Sequence, residues 1–315
     1  MTTFNRYAAI GAREDLSDVI YSISPTDTPI MSSIGKSKAT GTFHEWQTDI
    51  LAAPNTANAL IEGADATSTT LVPTVRLGNF TQIVGKTIAV SGTLEAVDRA
   101  GRKSEKAYQL AKASAEIKRD IEAIITNNQG QSNGTSNSAA RVMGTLLSYI
   151  KTNTNKGAGT TPGVDPVTIG VSTRVDGTTR AFTETFLKDV VAKVFTSGGT
   201  PSALFVSPAQ KQVVSGFTGL AAQRYQVPTN GQATILSGAD LFQSDFGVLQ
   251  IIPNRFMRVR DALVLDPEYA ALAYLRPFQT NELAKAGDSD KTQILAELTL
   301  EVRNEAAHGG VFDLT

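Results

Sequence analysis

The cleanest alternation in the chain lies near its C-terminal end. From Thr292 to Asn304, residues Ile294, Ala296, Leu298, Leu300 and Val302 fall on one side. Gln293, Glu297, Thr299, Glu301 and Arg303 fall on the other, with Leu295 the one exception. A period of two predicts a strand with one packed face and one wet face. The strongest helical pattern is Ser91 to Asn127, alanine-rich and free of proline, with Leu94, Val97, Leu110, Ile117, Ile121, Ile124 and Ile125 forming a stripe that broadens toward its C-terminal end. As one helix it would span roughly 50 Å. Ser91 or Thr93 would cap its start, and Asn127 with Gly130 would close it. A packed strand face and an apolar helix stripe together predict a layer of sheet on helix.

Elsewhere the pattern is looser. Glu14 to Ile23 places Leu16, Val19, Ile20 and Ile23 at helical spacing, and Pro25 and Pro29 then argue against a helix and for an extended arm. In Gly41 to Ile50, Phe43, Glu45 and Gln47 alternate with His44, Trp46 and Thr48, which reads as a strand. A second strand-like run, Leu71 to Val90, is interrupted by Pro73, Gly78 and Gly85, and the residues between the two runs are small and polar. The pair predicts a long hairpin with a tip of about twenty residues and no core of its own, an arm that finds its partner on another molecule. Gln129 to Arg180, rich in Gly, Ser, Thr and Asn, suits surface loops around one apolar element, Val142 to Ile150. Helix and short apolar strand then alternate. A helix at Thr183 to Phe195 ends at Gly198 and Gly199, a buried strand follows at Ala203 to Val206, Ser207-Pro208 opens a helix, and a strand at Val248 to Ile252 stops at Pro253. Residues 130–262 therefore read as a mixed α/β domain. Strands at Ala262 to Leu265 and Tyr269 to Phe278, and a turn at Ala286 to Lys291, lead into the final strand.

Composition mainly excludes. A chain of 315 residues, 41% hydrophobic and 19% charged, buries roughly three quarters of its unfolded surface. Without cysteine there is no disulfide framework, thiolate nucleophile, iron–sulfur cluster or Cys-ligated zinc. The two histidines, His44 and His308, are far apart in sequence and could act together only if the fold joined them. Lys36 and Lys86 follow glycines but lack the upstream glycine of a phosphate loop, Gly157 to Gly163 misses dinucleotide spacing, and Asp288 and Asp290 lack the later residues of a calcium loop. No catalytic, cofactor or metal residue is assigned. The start of the chain has no apolar signal region and no stretch is long enough to span a membrane, so a reducing cytoplasm, or something assembled there, is the expected setting. Net charge is −1, yet residues 128–260 carry 12 basic and 6 acidic groups while 261–315 carry 4 and 10. That asymmetry reads as two solvated faces, as complementarity between neighbouring copies, or as a basic face toward something anionic.

The order of parts resembles the major capsid proteins of tailed bacteriophages, with the Hong Kong 97 capsid fold. The segments Glu14 to Leu51 and Ala273 to Leu314 carry most of the resemblance. It implies an α+β subunit with an N-terminal arm (1–39), an extended loop (40–90), a spine helix in the peripheral domain (91–127), an axial domain (128–261) and peripheral-domain strands (262–315). It implies self-assembly into hexamers and pentamers of an icosahedral head around double-stranded DNA bound without sequence preference. Portal and possibly scaffolding or decoration proteins would be partners, with no membrane, in a virion capsid assembled in the host cytoplasm. Phe43, Trp46, Leu60, Ile61, Arg76 and Lys86 are candidate intersubunit contacts, and Arg255, Arg258 and Arg260 are candidates for facing DNA. Some relatives weld their shells through a loop lysine, but Lys86 lies at the loop's base and the tip has none, so that chemistry is not carried over. The arm begins almost at once, which suggests a separate scaffold or none. Two alternatives stay open. One is an encapsulin-like container of the same fold, and the other is a soluble α/β enzyme using Lys188 or Lys193 beside Asp189.

Overall fold

The computed structural model describes residues 26–63, 65, 66, 68, 70–97, 103–134, 138–163, 173–217 and 239–315. The amphipathic stretch Glu14 to Ile23 and Pro25 lie outside them. The chain opens with helix α1 (Pro29–Ser33), strands β1 (Gly35–Lys38), β2 (Phe43–Thr48), β3 (Val75–Phe80) and β4 (Gln82–Ser91), and helices α2 (Gly92–Ala96) and α3 (Glu105–Thr126). Helix α4 (Leu146–Tyr149), β5 (Thr154–Asn155), α5 (Glu184–Thr196), β6 (Ala203–Val206), α6 (Pro208–Ser215) and β7 (Leu241–Ser244) follow. The last part is strand: β8 (Gly247–Pro253), β9 (Asp261–Leu265), β10 (Ala270–Leu283), β11 (Ser289–Val302) and β12 (Gly309–Phe312).

These form a four-stranded sheet β1-β10-β11-β4, a six-stranded sheet β5-β12-β9-β6-β8-β7 and the two-stranded pair β2-β3. The apolar face of β11 is packed as its alternation predicts. Ile294, Ala296, Leu298, Leu300 and Val302 are buried in one cluster with Ile117, Ile121 and Ile125 of α3. Leu295, the exception to the alternation, lies opposite Gly85 of β4, and a Cβ there would come within 2.5 Å of a Leu295 methyl. Glycine at that position opens the space the leucine fills. In the six-stranded sheet, β6 and β9 are buried on both faces. Phe205, Leu263 and Leu265 face α3 and α4, while Leu204, Val206 and Val264 face Leu187, Val190, Val191 and Val194 of α5. Continuous apolar runs of this kind are what a doubly covered strand requires.

The structure corrects four expectations. First, Ser91 to Asn127 is not one helix. Val97 is extended, Ser104 caps a new start by accepting from the Ala107 N–H at 3.1 Å, and α3 has 22 residues, a length of roughly 33 Å. Glu95 of α2 adds a second cap, its carboxylate accepting from the Glu105 and Lys106 N–H groups at 3.0 and 3.3 Å. Second, Pro29 does not oppose a helix but begins one. At the first helical position its missing N–H has no partner to lose, and the Ile30 and Met31 N–H groups donate instead to the Glu122 carboxylate at 2.8 and 2.9 Å. Third, the run from Leu71 to Val90 breaks at buried Thr81, so β3 pairs with β2 while β4 joins β11 in the larger sheet. Fourth, the polar face of β11 is not wet, because Glu297, Thr299 and Glu301 are buried there. The apolar element expected among the loops after Gln129 is α4, whose four residues are all buried.

Candidate assembly surface

The β2–β3 pair projects from a root held in the subunit. Asn79 is fully buried and donates to the Leu300 and Gly144 carbonyls at 2.7 and 3.1 Å, while its own oxygen accepts from the Gly144 N–H at 2.8 Å. Phe43 and Phe80 stack tilted with ring centres 4.6 Å apart. Glu297 of β11 accepts from Thr81 Oγ1 at 2.8 Å, Arg141 Nη2 at 2.5 Å and Arg276 Nε at 2.8 Å. Glu301 accepts from Ser37 Oγ at 2.6 Å and Arg303 Nε at 3.0 Å and lies 3.2 Å from His44 Nε2. The His44 contact is the largest influence drawing that carboxyl down to about 2, against burial, which raises it. The root is therefore a built polar interface on the second face of β11.

Beyond the root the chain is open to solvent. Ile50, Leu51, Leu60, Ile61, Leu71 and Val72 are each at least 80% exposed. Six large apolar side chains this exposed on one loop offer surface that a contact with another molecule could bury. Of the sequence candidates, Leu60 and Ile61 lie at this tip and Arg76 pairs with Glu45 on the exposed hairpin. Phe43 and Trp46 are half-buried in β2, where the Trp46 indole N–H is sequestered with no hydrogen-bond partner among the described residues. Lys86 is elsewhere, donating from β4 to Glu116 of α3 at 2.8 Å with Asp120 at 3.2 Å.

Arg255, Arg258 and Arg260 divide similarly. Arg255 is exposed in the connection between β8 and β9. Arg258 pairs with Asp176 and Asp261, and Arg260 with Asp313 at 3.3 Å. They border a buried guanidinium, Arg174, whose Nη2 donates to Asp261 at 2.7 Å and Asp176 at 2.8 Å, and whose plane lies 4.2 Å from the Phe312 ring centre. Burial pushes the Asp261 carboxyl up to about 6 even beside two arginines. The basic middle segment and the acidic tail thus neutralise one another within one chain, through Arg141–Glu297, Arg174–Asp261 and Arg260–Asp313. Sequence reading had not paired these segments intramolecularly, since no local pattern links residues so far apart.

Groups suited to catalysis are dispersed. His44 meets Glu301, whereas His308 is fully buried between the Asp266 N–H and the Tyr269 carbonyl. Lys188 pairs with Glu184 and Lys193 with Asp189 along α5. Among the described residues, no group of three or more His, Asp or Glu could hold a metal ion. Among the described residues, no helix is long and apolar enough to cross a membrane.

A sequence model of the SU10 major capsid protein family matches residues 1–315. The chain belongs to this family. It is the structural subunit of a bacteriophage capsid, not an enzyme, and its place is in the virion shell. The major capsid protein of Escherichia phage Phieco32 is 28% identical over 340 residues, covering 99% of this chain and 97% of that protein. The capsid protein also superposes on the subunit of the cyanophage A-1(L) capsid with a TM-score of 0.69 at 12% identity, covering 99% and 98% of the two chains. Mycobacterium phage Cain gives 0.64 at 11% identity over 100% of this chain and 99% of that one. At such low identity these structures speak to fold alone, and the fold is that of phage capsid subunits, as the Hong Kong 97 resemblance implied. The enzyme and encapsulin-like alternatives give way to the family match.

Proposed function

We propose that this capsid protein forms hexamers and pentamers of an icosahedral head, with the loop between β2 and β3 lying on a neighbouring subunit. The supporting observation is the contrast within one hairpin between a buried, hydrogen-bonded root and an apolar, exposed tip. Burying each large tip side chain against a neighbour contributes roughly 1.5–3 kcal/mol, so a few such contacts repeated at every interface favour a closed shell. The divisions into arm, extended loop, spine helix, axial domain and peripheral strands are part of this reading. So is assembly in the host cytoplasm with portal and scaffolding or decoration partners. The shell encloses double-stranded DNA through backbone charge alone, and Arg255, which among the described residues makes no ion pair of the kind Arg258 and Arg260 make, is the strongest of the three candidates to face it.

Deleting Asn55 to Thr70 tests the proposal. The shortened subunit should keep its far-UV circular dichroism and cooperative unfolding yet yield no closed shells by negative-stain microscopy and sedimentation. Shells indistinguishable from those of the intact chain would refute the role of the tip.

A further inference from the structure

A groove of about 550 Å³ opens between α1, β1, α3 and the outer part of β10. Its walls are Met31, Ile34, Tyr274, Pro277 and Phe278, and its rim carries Lys36 and Lys118. Ile34 is buried, but Phe278 is more than a third exposed, although it lies across from Tyr274 with ring centres 6.3 Å apart. Both lysines are exposed, and neither is ion-paired among the described residues. An apolar slot with unpaired cations on its rim calls for an occupant with an apolar stripe and negative charge.

The chain itself contains such a segment. Glu14 to Ile23 puts Leu16, Val19, Ile20 and Ile23 on one helical face, carries Glu14, Asp15 and Asp18, and has no basic residue. At about 100° per residue, Asp15 falls at the edge of the apolar stripe. The tether fits too. Thr28 lines the groove, and the five steps from Ile23 to Thr28 reach at most about 18 Å when extended. A second copy's segment would have to displace one already held at high effective concentration by that short link.

We propose that Glu14 to Ile23 docks as an amphipathic helix into the groove of its own subunit, its apolar stripe on Met31, Tyr274 and Phe278 and Asp15 beside Lys118. The docked segment would cover the exposed ring of Phe278 and tie the N-terminal arm to β10 beyond its irregularity at Arg276. This inference does not depend on shell closure, since it concerns one subunit.

Hydrogen exchange on the full-length subunit, with amides 16–23 followed by mass spectrometry, provides the test. Docking predicts exchange slowed roughly tenfold or more relative to an unstructured peptide. Asp15→Lys should remove that protection, and adding Lys118→Glu to the same chain should restore it, which a merely misfolded variant would not do. Unprotected amides in the intact chain, or no rescue by the second change, would overturn the proposal. The chain has no cysteine, so Asp15→Cys with Lys118→Cys gives two unique thiols for a short bis-maleimide. A link within one chain supports the assignment. Links found only between chains would give the groove to a second copy's segment, and the absence of any link would overturn docking altogether.

Discussion

His308 offers a measurement in which the sign and size of a pH effect follow from one buried ring. It is fully buried, its Nδ1 accepts from the Asp266 N–H at 3.3 Å, and Nε2–H therefore donates toward the Tyr269 carbonyl at 3.4 Å. A second proton would have to sit on Nδ1, against that N–H and away from water. Burial accordingly lowers the ring from 6.5 to about 4. Between those values the unfolded ring binds a proton and the folded one does not, so stability falls as pH falls from 6.5 toward about 4. The full difference amounts to about 3 kcal/mol, and most of it appears between about pH 7.5 and about pH 4.5.

The perturbation is His308→Asn, whose side-chain oxygen keeps an acceptor near the Asp266 N–H while removing the titrating group. Asp261 contributes a slope of opposite sign, because its folded value of about 6 lies above its ordinary 3.8. Its folded form takes up a proton first, which favours folding as pH falls through that window. That contribution is common to both proteins and cancels in their difference. Urea denaturation of the unassembled subunit across the pH range should show the variant less stable near neutrality, through lost packing, and the gap narrowing by about 2–3 kcal/mol on acidification. Two stability curves that stay parallel from neutral to acid pH would refute the assignment of a neutral folded ring.

Three further outcomes follow from the same structure. Ile121, fully buried beneath β11, should lose about 2–5 kcal/mol on change to alanine, read as a lower urea midpoint with an unchanged slope. Arg174→Met leaves Asp261 buried without its closest cation and should cost about 3–5 kcal/mol, with Asp261→Asn in the same chain recovering part of the loss in a double-mutant cycle. Glu122→Gln puts an NH2 group against one of the N–H donors at the start of α1. It should cost about 1–3 kcal/mol and speed hydrogen exchange selectively across α1 and β1.

Where local pattern and tertiary burial agree, the sequence was readable. The apolar face of β11, the C-terminal half of α3, helix α5 and the doubly buried strands β6 and β9 all lie where periodicity puts them. The misses share a cause: a polar side chain supplied from a distance changed what the local pattern implied. The interruption before α3 is stabilised by Glu95 capping from the preceding turn, and α1 is capped by Glu122, more than ninety residues away in sequence. The unpaired start at Pro29 looked like a helix breaker only because the carboxylate that receives its neighbours' N–H groups could not be seen. At the hairpin, the apolar tip residues Leu60 and Ile61 were legible as candidates, whereas the ion pairs of Lys86, Arg258 and Arg260 inside the subunit were not.

The same long-range polar contacts change how the hairpin works. Read alone, β2 and β3 form a ribbon without a core, which would need a neighbour before it could order. In the structure the root borrows its support from β11, where Glu297 and Glu301 gather Thr81, Arg141, Arg276, Ser37, Arg303 and His44 from five separate stretches of chain. Each buried carboxylate would be unfavourable by itself, and each is matched by more than one donor. The projection is thus oriented by the subunit's own fold, while its apolar side chains Leu60 and Ile61 stay exposed. With the assembly proposed above, folding and shell closure would draw on different residues. A change at Asn79 or Glu297 should lower the stability of the isolated subunit, whereas a change at Leu60 or Ile61 should leave that stability intact and act only when subunits meet.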